Sequence, residues 1–182
     1  LYPEEINVPN QVKNKTAITI THRWKNMGWG YFPNNIPQWN YKYKVAFAIL
    51  DTAGVVKKLF IDENGEPSKW LKDNPMSYNF TTTAISLPVG SYKWAVAIID
   101  KTNANKPGIA LAVTGTFTNG WLELGNLQIQ AEPPIGQTVK LKGSNNLFVS
   151  GENGEVAMRT RSVLRIAIAI LLAATTLTPA SA

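Results

Sequence analysis

The chain has 182 residues, a formal net charge of +6 and no cysteine. A disulfide framework and thiol chemistry are therefore excluded. The lysines are scattered rather than gathered into a basic stripe, so we expect no nucleic-acid partner. Six tryptophans are many for this length, and large aromatic side chains serve either a core or a binding surface.

Short stretches of alternating apolar and polar residues, separated by turn signals, follow one another along most of the chain. We predict seven strands, at residues 16–23, 42–50, 55–61, 78–87, 91–100, 109–117 and 121–129. A single helical turn is predicted at 67–72, and residues 1–11 are treated as an N-terminal extension. The pattern predicts an all-β, antiparallel, immunoglobulin-like β-sandwich over residues 12–131.

The same alternation predicts which side chains face the core, because successive residues of a strand point to opposite faces. The expected inward residues are Ile18, Ile20, Val45, Phe47, Ile49, Val96, Ile98 and Leu111. Trp24, Trp94 and Trp121 lie on strands or at their ends, so we expect them in the core as well.

Beyond the sandwich the composition changes. Residues 132–137 form a proline-containing linker. Residues 138–157 contain two short predicted strands and a turn, which is too little to bury a core alone, so this partial β unit looks truncated.

The segment 158–182 has the features of a secretory signal peptide. Met158 precedes three arginines without an acidic residue, an apolar run covers 166–174, and small residues end at Ala182. The apolar run is shorter than the ~20 residues that a membrane span requires. We interpret the segment as a signal peptide in a non-native position, with an ordinary buried C-terminal helix as the alternative. It predicts a secreted or periplasmic protein that meets a membrane only through export of this segment.

Three collinear stretches carry a family resemblance: "HRWKNMGWGYFPNN", "LPVGSYKWAVAIIDKTNANKPGIALAV" and "TNGWLELGNLQI". They resemble the C-terminal β-sandwich known as domain of unknown function 4832. The matching positions are Trp24, Asn26, Gly28, Tyr31, Gly90, Tyr92, Leu111, Ala112, Gly120, Trp121, Leu124 and Gly125. The resemblance implies an accessory domain of a secreted bacterial polysaccharide-degrading enzyme, whose glycoside hydrolase barrel does not precede Leu1 here. Separately, "NNLFVSGENG" resembles a strand motif of fascin-like β-trefoil modules.

Few residues favour catalysis. The single histidine, His22, lies on an alternating strand, where a surface or hydrogen-bonded structural residue is the favoured interpretation. The candidate carboxylates for a glycosidase pair are Asp51, Asp62, Glu63, Asp73, Asp100 and Glu123, but their spacing indicates no pair. No cofactor is expected. Asp62, Asn64 and Glu66 supply alternate oxygen atoms of the kind that structural calcium takes, although a plain acidic turn is favoured.

The stretch "WGYFPNNIPQWNY" is the predicted ligand-binding site. Aromatic rings stack on the apolar C–H faces of sugars, while amides bond their hydroxyl edges. The candidate residues are Trp29, Tyr31, Asn34, Asn35, Trp39 and Tyr41. For Trp29, Tyr31 and Trp39, simple anchoring of the loop is an equally weighted alternative.

The sequence is compatible with three functions. The first is a non-catalytic module that binds polysaccharide within a larger parent protein. The second is a structural sandwich that braces a neighbouring glycoside hydrolase domain without a ligand, which requires an open apolar face. The third is a small glycan-active enzyme, which requires two facing carboxylates.

A truncation tests the interpretation of the last segment. Deleting residues 163–182 is expected to leave the melting temperature of the sandwich nearly unchanged and to raise solubility, because an exposed apolar run promotes association. Thermal unfolding and sedimentation of the two proteins measure both effects. Unfolding of the domain on deletion would show instead that the segment is a genuine C-terminal element.

Overall fold

The computed structural model of the chain describes residues 1–132. Its strands are β1 (Tyr2–Asn7), β2 (Gln11–Lys13), β3 (Thr19–Lys25), β4 (Tyr43–Leu50), β5 (Val56–Asp62), β6 (Met76–Thr81), β7 (Gly90–Asp100), β8 (Lys106–Ile109), β9 (Phe117–Thr118) and β10 (Trp121–Gln130). The helical structure in this range is a 3₁₀ turn at Pro67–Lys69. Within the described range no helix is long and apolar enough to cross a membrane.

The strands form two sheets that share one core. The first sheet has the order β1-β3-β6, and the second has the order β2-β10-β7-β4-β5, with β8 paired to β7 and β9 paired to β10. Side chains of both sheets belong to one buried cluster, and Phe47 of β4 stacks on Phe80 of β6 with ring centroids 6.0 Å apart. The predicted all-β sandwich is confirmed.

Two features of the topology differ from the expectation. The pairing of β2 with β10 is parallel, whereas a purely antiparallel fold was predicted. Only three residues separate β1 in one sheet from β2 in the other, so the chain changes sheets there without a hairpin. Residues 1–11, treated as an extension, thus contribute β1 to the first sheet and the start of β2 to the second.

Alternation along β3 places the predicted residues correctly. Ile20, His22 and Trp24 are buried, whereas the residues between them are exposed. The other predicted core residues on β4 and β7, and Leu111, are also buried. Ile18 is the exception: it precedes β3 and is only half-buried, packed against the edge of the core.

Strands β4 and β7 are buried on both faces. Val45, Phe47 and Ile49 of β4 enter the core between the sheets. The residues that alternate with them form a second apolar cluster, which comprises Ala46, Ala48, Leu50, Ala95, Ala97, Ile99 and Trp121. Trp24 and Trp94 lie in the first cluster and Trp121 in the second, so the prediction that all three are core residues is confirmed.

Two predicted strands are wrong in extent. The segment 78–87 is extended only as far as Thr81, and the segment 109–117 is mostly not a strand. In the latter, only Ile109 and Phe117 at the two ends lie in strands. Between them, Leu111 turns into the core and the Ala112 amide donates to the Leu1 carbonyl (2.9 Å). The linker from residue 133, the partial β unit 138–157 and the segment 158–182 lie outside the described residues.

A buried imidazole–carboxylate pair joins the two sheets. The indole N–H of Trp24 donates to Nδ1 of His22 (2.7 Å), and Nε2 of His22 lies 3.0 Å from Oδ2 of Asp62 at the end of β5. An indole nitrogen can only donate, so Nδ1 must accept and Nε2 carries the proton that is donated to Asp62. The imidazole also stacks on Tyr78 with ring centroids 5.1 Å apart. The sequence favoured either a surface residue or a hydrogen-bonded structural residue, and the structure shows the second.

Removing this imidazole should weaken the fold. In His22→Leu both Trp24 and Asp62 lose a buried hydrogen-bond partner, so we expect a loss of about 2–4 kcal/mol in the free energy of unfolding. Urea unfolding followed by circular dichroism measures it. Arg23→Ala is the control, since Arg23 forms only an exposed salt bridge to Glu4 and should cost less than about 1 kcal/mol. Equal stability of His22→Leu and the wild type would contradict this role.

Candidate functional site

The predicted site is the aromatic loop, residues 26–42, which connects β3 to β4. It contains no regular strand or helix and consists of consecutive turns. Buried asparagine side chains hold the loop at two points.

Asn26 holds the first part of the loop. Its side-chain oxygen accepts from the Gly28 amide (2.9 Å), and its side-chain nitrogen donates to the Gly30 carbonyl (2.5 Å). These two bonds close a tight turn around Trp29. The turn is therefore built by the Trp-x-Asn-x-Gly pattern of the sequence, in which the asparagine has a structural role.

Asn34 holds the second part. Its side chain is completely buried, donates to the Tyr43 carbonyl (2.9 Å) and to Glu66 (2.8 Å), and accepts from the Tyr43 amide (3.0 Å). These bonds engage both the nitrogen and the oxygen of the Asn34 side-chain amide. Asn34 was predicted to contact a ligand, but in this structure it lies out of reach of the surface and positions the loop. Its neighbour Asn35 is exposed.

Glu66 connects this anchor to the rest of the fold. One carboxylate oxygen accepts from Asn34 and from the Ser68 amide (3.1 Å), and the other accepts from Lys44 (3.1 Å). Burial alone raises the pKa of a carboxyl, but the bonds from Asn34, Ser68 and Lys44 outweigh it and hold the pKa of Glu66 below its ordinary value of 4.5. Glu66 is thus held in the charged form that Asn34 and Lys44 require.

Trp39 supports the loop from inside. It is half-buried, and its ring lies 5.2 Å from Phe32 and 5.3 Å from Tyr43 between centroids. These contacts favour the anchoring alternative for Trp39, because much of the ring is already used within the protein.

Trp29, Tyr31 and Tyr41 are the exposed aromatic residues of the loop. Their exposed fractions are 91%, 50% and 48% respectively. Tyr41 also adopts a left-handed backbone with φ of 57°, directly after Asn40 at 41°. This conformation costs a non-glycine residue about 1–2 kcal/mol, and such strain is concentrated at functional sites.

A lysine from another loop orients the Trp29 ring. The ammonium of Lys72 lies 3.4 Å from the ring centroid, a cation–π contact that contributes about 0.5–1 kcal/mol at an exposed site. The lysine occupies one face of the ring. Because Trp29 is still 91% exposed, most of the ring, including its opposite face, is available to a ligand.

Two of the three metal-ligand candidates, Asp62 and Glu66, are occupied by protein groups, and the third, Asn64, is exposed. Oδ1 of Asp62 accepts from the Asn64 amide (3.0 Å), and its other oxygen pairs with His22. Glu66 bonds Asn34, Ser68 and Lys44 as described above. Over residues 1–132 no group of three or more histidine, aspartate or glutamate side chains is placed to hold a metal ion.

The glycosidase candidates are engaged in a similar way. Asp51, Glu63, Asp100 and Glu123 form salt bridges with Lys57, Lys101, Lys42 and Lys93 respectively, at 2.7–3.0 Å. Asp62 pairs with His22 inside the core. Asp73 lies in a turn and has a left-handed backbone, with φ of 61°.

Comparison with known proteins leaves the family open. No protein-family model matches the chain, and no curated protein gives a significant match. Among solved structures, the chain is similar to the CARDB domain of a Pyrococcus furiosus protein, which was crystallised in complex with di-metal ions. That similarity has a TM-score of 0.36 and 16% sequence identity, and it covers 72% of this chain and 96% of the other. A score this low establishes neither a shared fold nor a function, and the resemblance to domain of unknown function 4832 stays a prediction.

Sequence reasoning missed three residues that shape the site. Asn26 was noted only as part of a motif, and Lys72 carries no local signal because the contact with Trp29 is distant in sequence. Glu66 was considered as a metal ligand. In the structure Glu66 instead caps the helical turn by accepting from the Ser68 amide. The position of Glu66 directly before the predicted turn is the sequence feature that indicates this role.

The charge of Glu66 should make the loop sensitive to acid. Its pKa is lower in the fold than in the unfolded chain, so its stabilising contribution is present above about pH 4.5 and is lost as the pH falls through the folded value. At pH 7, Glu66→Gln leaves Lys44 buried without a charged partner and should cost about 3 kcal/mol. It should also lose less stability than the wild type between pH 6 and pH 3.

Urea unfolding across this pH range measures both effects. The control is Glu63→Gln, since Glu63 forms an exposed pair with Lys101 and should change stability by less than about 1 kcal/mol. Identical pH dependence of Glu66→Gln and the wild type would contradict the assigned role of the carboxylate.

Proposed function

We propose that this domain is a non-catalytic accessory module of a secreted glycan-degrading protein and that it binds polysaccharide through the aromatic loop. The observation that carries the proposal is Trp29, which is 91% exposed on a turn held by Asn26. Burying a large apolar side chain stabilises a protein by about 1.5–3 kcal/mol, and this residue forgoes that gain. An exposed ring on an anchored loop is the arrangement that a binding surface needs.

The chemistry of the loop suits a sugar chain. The open face of Trp29 would stack on the apolar face of a pyranose ring, as an aromatic side chain does with other flat apolar surfaces. The phenol groups of Tyr31 and Tyr41 and the amide of Asn35 can both donate to and accept from sugar hydroxyls. Lys72, already held beside the indole, adds a donor.

The state of the carboxylates supports binding rather than hydrolysis. A glycosidase needs two carboxyl groups that face the scissile bond from opposite sides, one as an acid and one as a base or nucleophile. Five of the six candidates are neutralised by a lysine or held by His22. A small glycan-active enzyme is therefore the least favoured alternative.

An apolar depression favours a second candidate function, the bracing of a neighbouring domain. It has a volume of about 490 Å³ and lies between β8 and β9. Its lining includes Pro107, Ile109, Leu111 and Phe117, and Phe117 is 42% exposed. A catalytic or other domain of a larger parent protein would cover such a surface. The secreted or periplasmic location in either case rests on the signal-peptide-like segment.

Replacing the exposed tryptophan separates these functions. Trp29→Ala should weaken polysaccharide binding by about 1–2 kcal/mol, the size of a lost aromatic contact, with little change in stability. Affinity electrophoresis on a panel of algal and plant polysaccharides, with thermal unfolding in parallel, provides the measurement. Trp39→Ala, by contrast, should also lower stability because its ring packs on Phe32 and Tyr43.

Phe117→Ala is the matched control for Trp29→Ala, since it removes an exposed aromatic ring outside the loop. It should leave electrophoretic retardation unchanged. Absence of retardation of the wild type on every glycan, or unfolding of Trp29→Ala, would favour the bracing function.

A further inference from the structure

A second polar surface lies on the outer face of the seven-stranded sheet. Register places Gln128 of β10 directly opposite both Gln11 of β2 and Ser91 of β7, and it places Asn126 opposite Lys93. Residues two apart on a strand share a face, so these five side chains form one continuous patch across three strands. We call this patch the amide platform.

A β-bulge places Glu123 on the same side of β10 as the amide platform. The register shifts between Glu123 and Gly125, and Gly125 has φ of 149°. Without the extra residue, Glu123 and Asn126 would point to opposite faces, since they are an odd number of residues apart. With it, Glu123 faces the same side as Asn126 and pairs with Lys93 (2.9 Å).

Four of the five side chains of the amide platform, those of Gln11, Ser91, Lys93 and Gln128, already form hydrogen bonds within the protein. Ser91 donates to the side-chain oxygen of Gln128 (3.0 Å), and Gln130 donates to that of Gln11 (2.9 Å). The five residues of the amide platform line a cleft of about 430 Å³. Asn10 and Thr52 also line this cleft and extend it beyond the platform. Ordering of these side chains before binding reduces the entropy that a ligand must overcome.

The one charged side chain of the amide platform, Lys93, is paired with Glu123 beside it. Hydrogen bonds from Thr118 and Lys93 hold the pKa of Glu123 below its ordinary value, so this carboxylate stays ionised and balances Lys93. The remaining groups are amides and a hydroxyl, each of which both donates and accepts. The hydroxyl groups of a sugar do the same, whereas a charged ligand would find no unbalanced partner among these five side chains.

We propose that the amide platform is a second binding site, separate from the aromatic loop, for an uncharged glycan chain. The chain would lie across β2, β10 and β7, where the amides would bond successive hydroxyl groups. The proposal does not depend on the aromatic loop. A protein partner is less suitable, because stable protein interfaces centre on buried aromatic or arginine anchors.

Nuclear magnetic resonance of the ¹⁵N-labelled full chain tests the proposal. The probes are cellohexaose and xylohexaose, which are uncharged, and hexaguluronate, which is carboxylated. An uncharged hexasaccharide should shift the side-chain amide signals of Gln11, Asn126 and Gln128 in the wild type and in Trp29→Ala alike. Gln128→Ala should weaken the platform's affinity about fivefold, the effect of one or two net hydrogen bonds.

Asn79→Ala is the control, because Asn79 is an exposed amide on β6 of the other sheet, and it should leave affinity unchanged. Chemical-shift changes confined to the Trp29 indole signal would overturn the proposed site on the amide platform and leave the aromatic loop as the binding site. Shifts confined to the platform amides would support the platform and overturn the loop. Stronger binding of hexaguluronate at the platform, or no shift with any probe, would overturn the platform.

Discussion

The hydrogen bond between His22 and Asp62 is the interaction on which the rest of the structure depends. His22 belongs to the three-stranded sheet and Asp62 to the seven-stranded sheet, so the bond fixes one sheet against the other within the core. The other oxygen of Asp62 accepts from the Asn64 amide and begins the turn that leads to Glu66. Glu66 then binds Asn34, which holds the aromatic loop. Polar contacts on either side of this turn thus link the core to the aromatic loop.

These polar contacts have a thermodynamic consequence. Each buried polar group costs free energy unless its partner is present, so the groups are favourable together and costly apart. In the loop, polar anchoring by Asn26 and Asn34 is added to the packing of Trp39 against Phe32 and Tyr43. This anchoring allows Trp29 to remain outside, since the stability of the loop does not require that ring to be buried.

The sequence predicts the features of the fold that leave a local pattern of residues, and it does not predict those that depend on contacts between distant residues. Alternation in β3 and β7 and the apolar run in β4 predict the sheets and nearly all of the core, because burial of a strand face leaves a direct pattern in the sequence. The segment 109–117 is apolar too, but the Ala112 amide within it bonds to the Leu1 carbonyl, which no local pattern reveals. Asn34 and Asn35 are adjacent and chemically identical, yet one is buried and the other exposed. That difference is set by Glu66 and Tyr43, which lie elsewhere in the chain.

The parallel pairing of β2 with β10 has a consequence for the order of events during folding. Gln11 and Gln130 bond each other across 119 positions of the chain, and the Asn14 amide donates to the Gln130 carbonyl. The seven-stranded sheet therefore gains its last strand only after a ribosome has released residue 130. Contacts between such distant residues slow folding, because a long loop must close before they form. A nascent chain with this connectivity leaves the backbone of β2 without its partner strand until residues 128–130 have been synthesised.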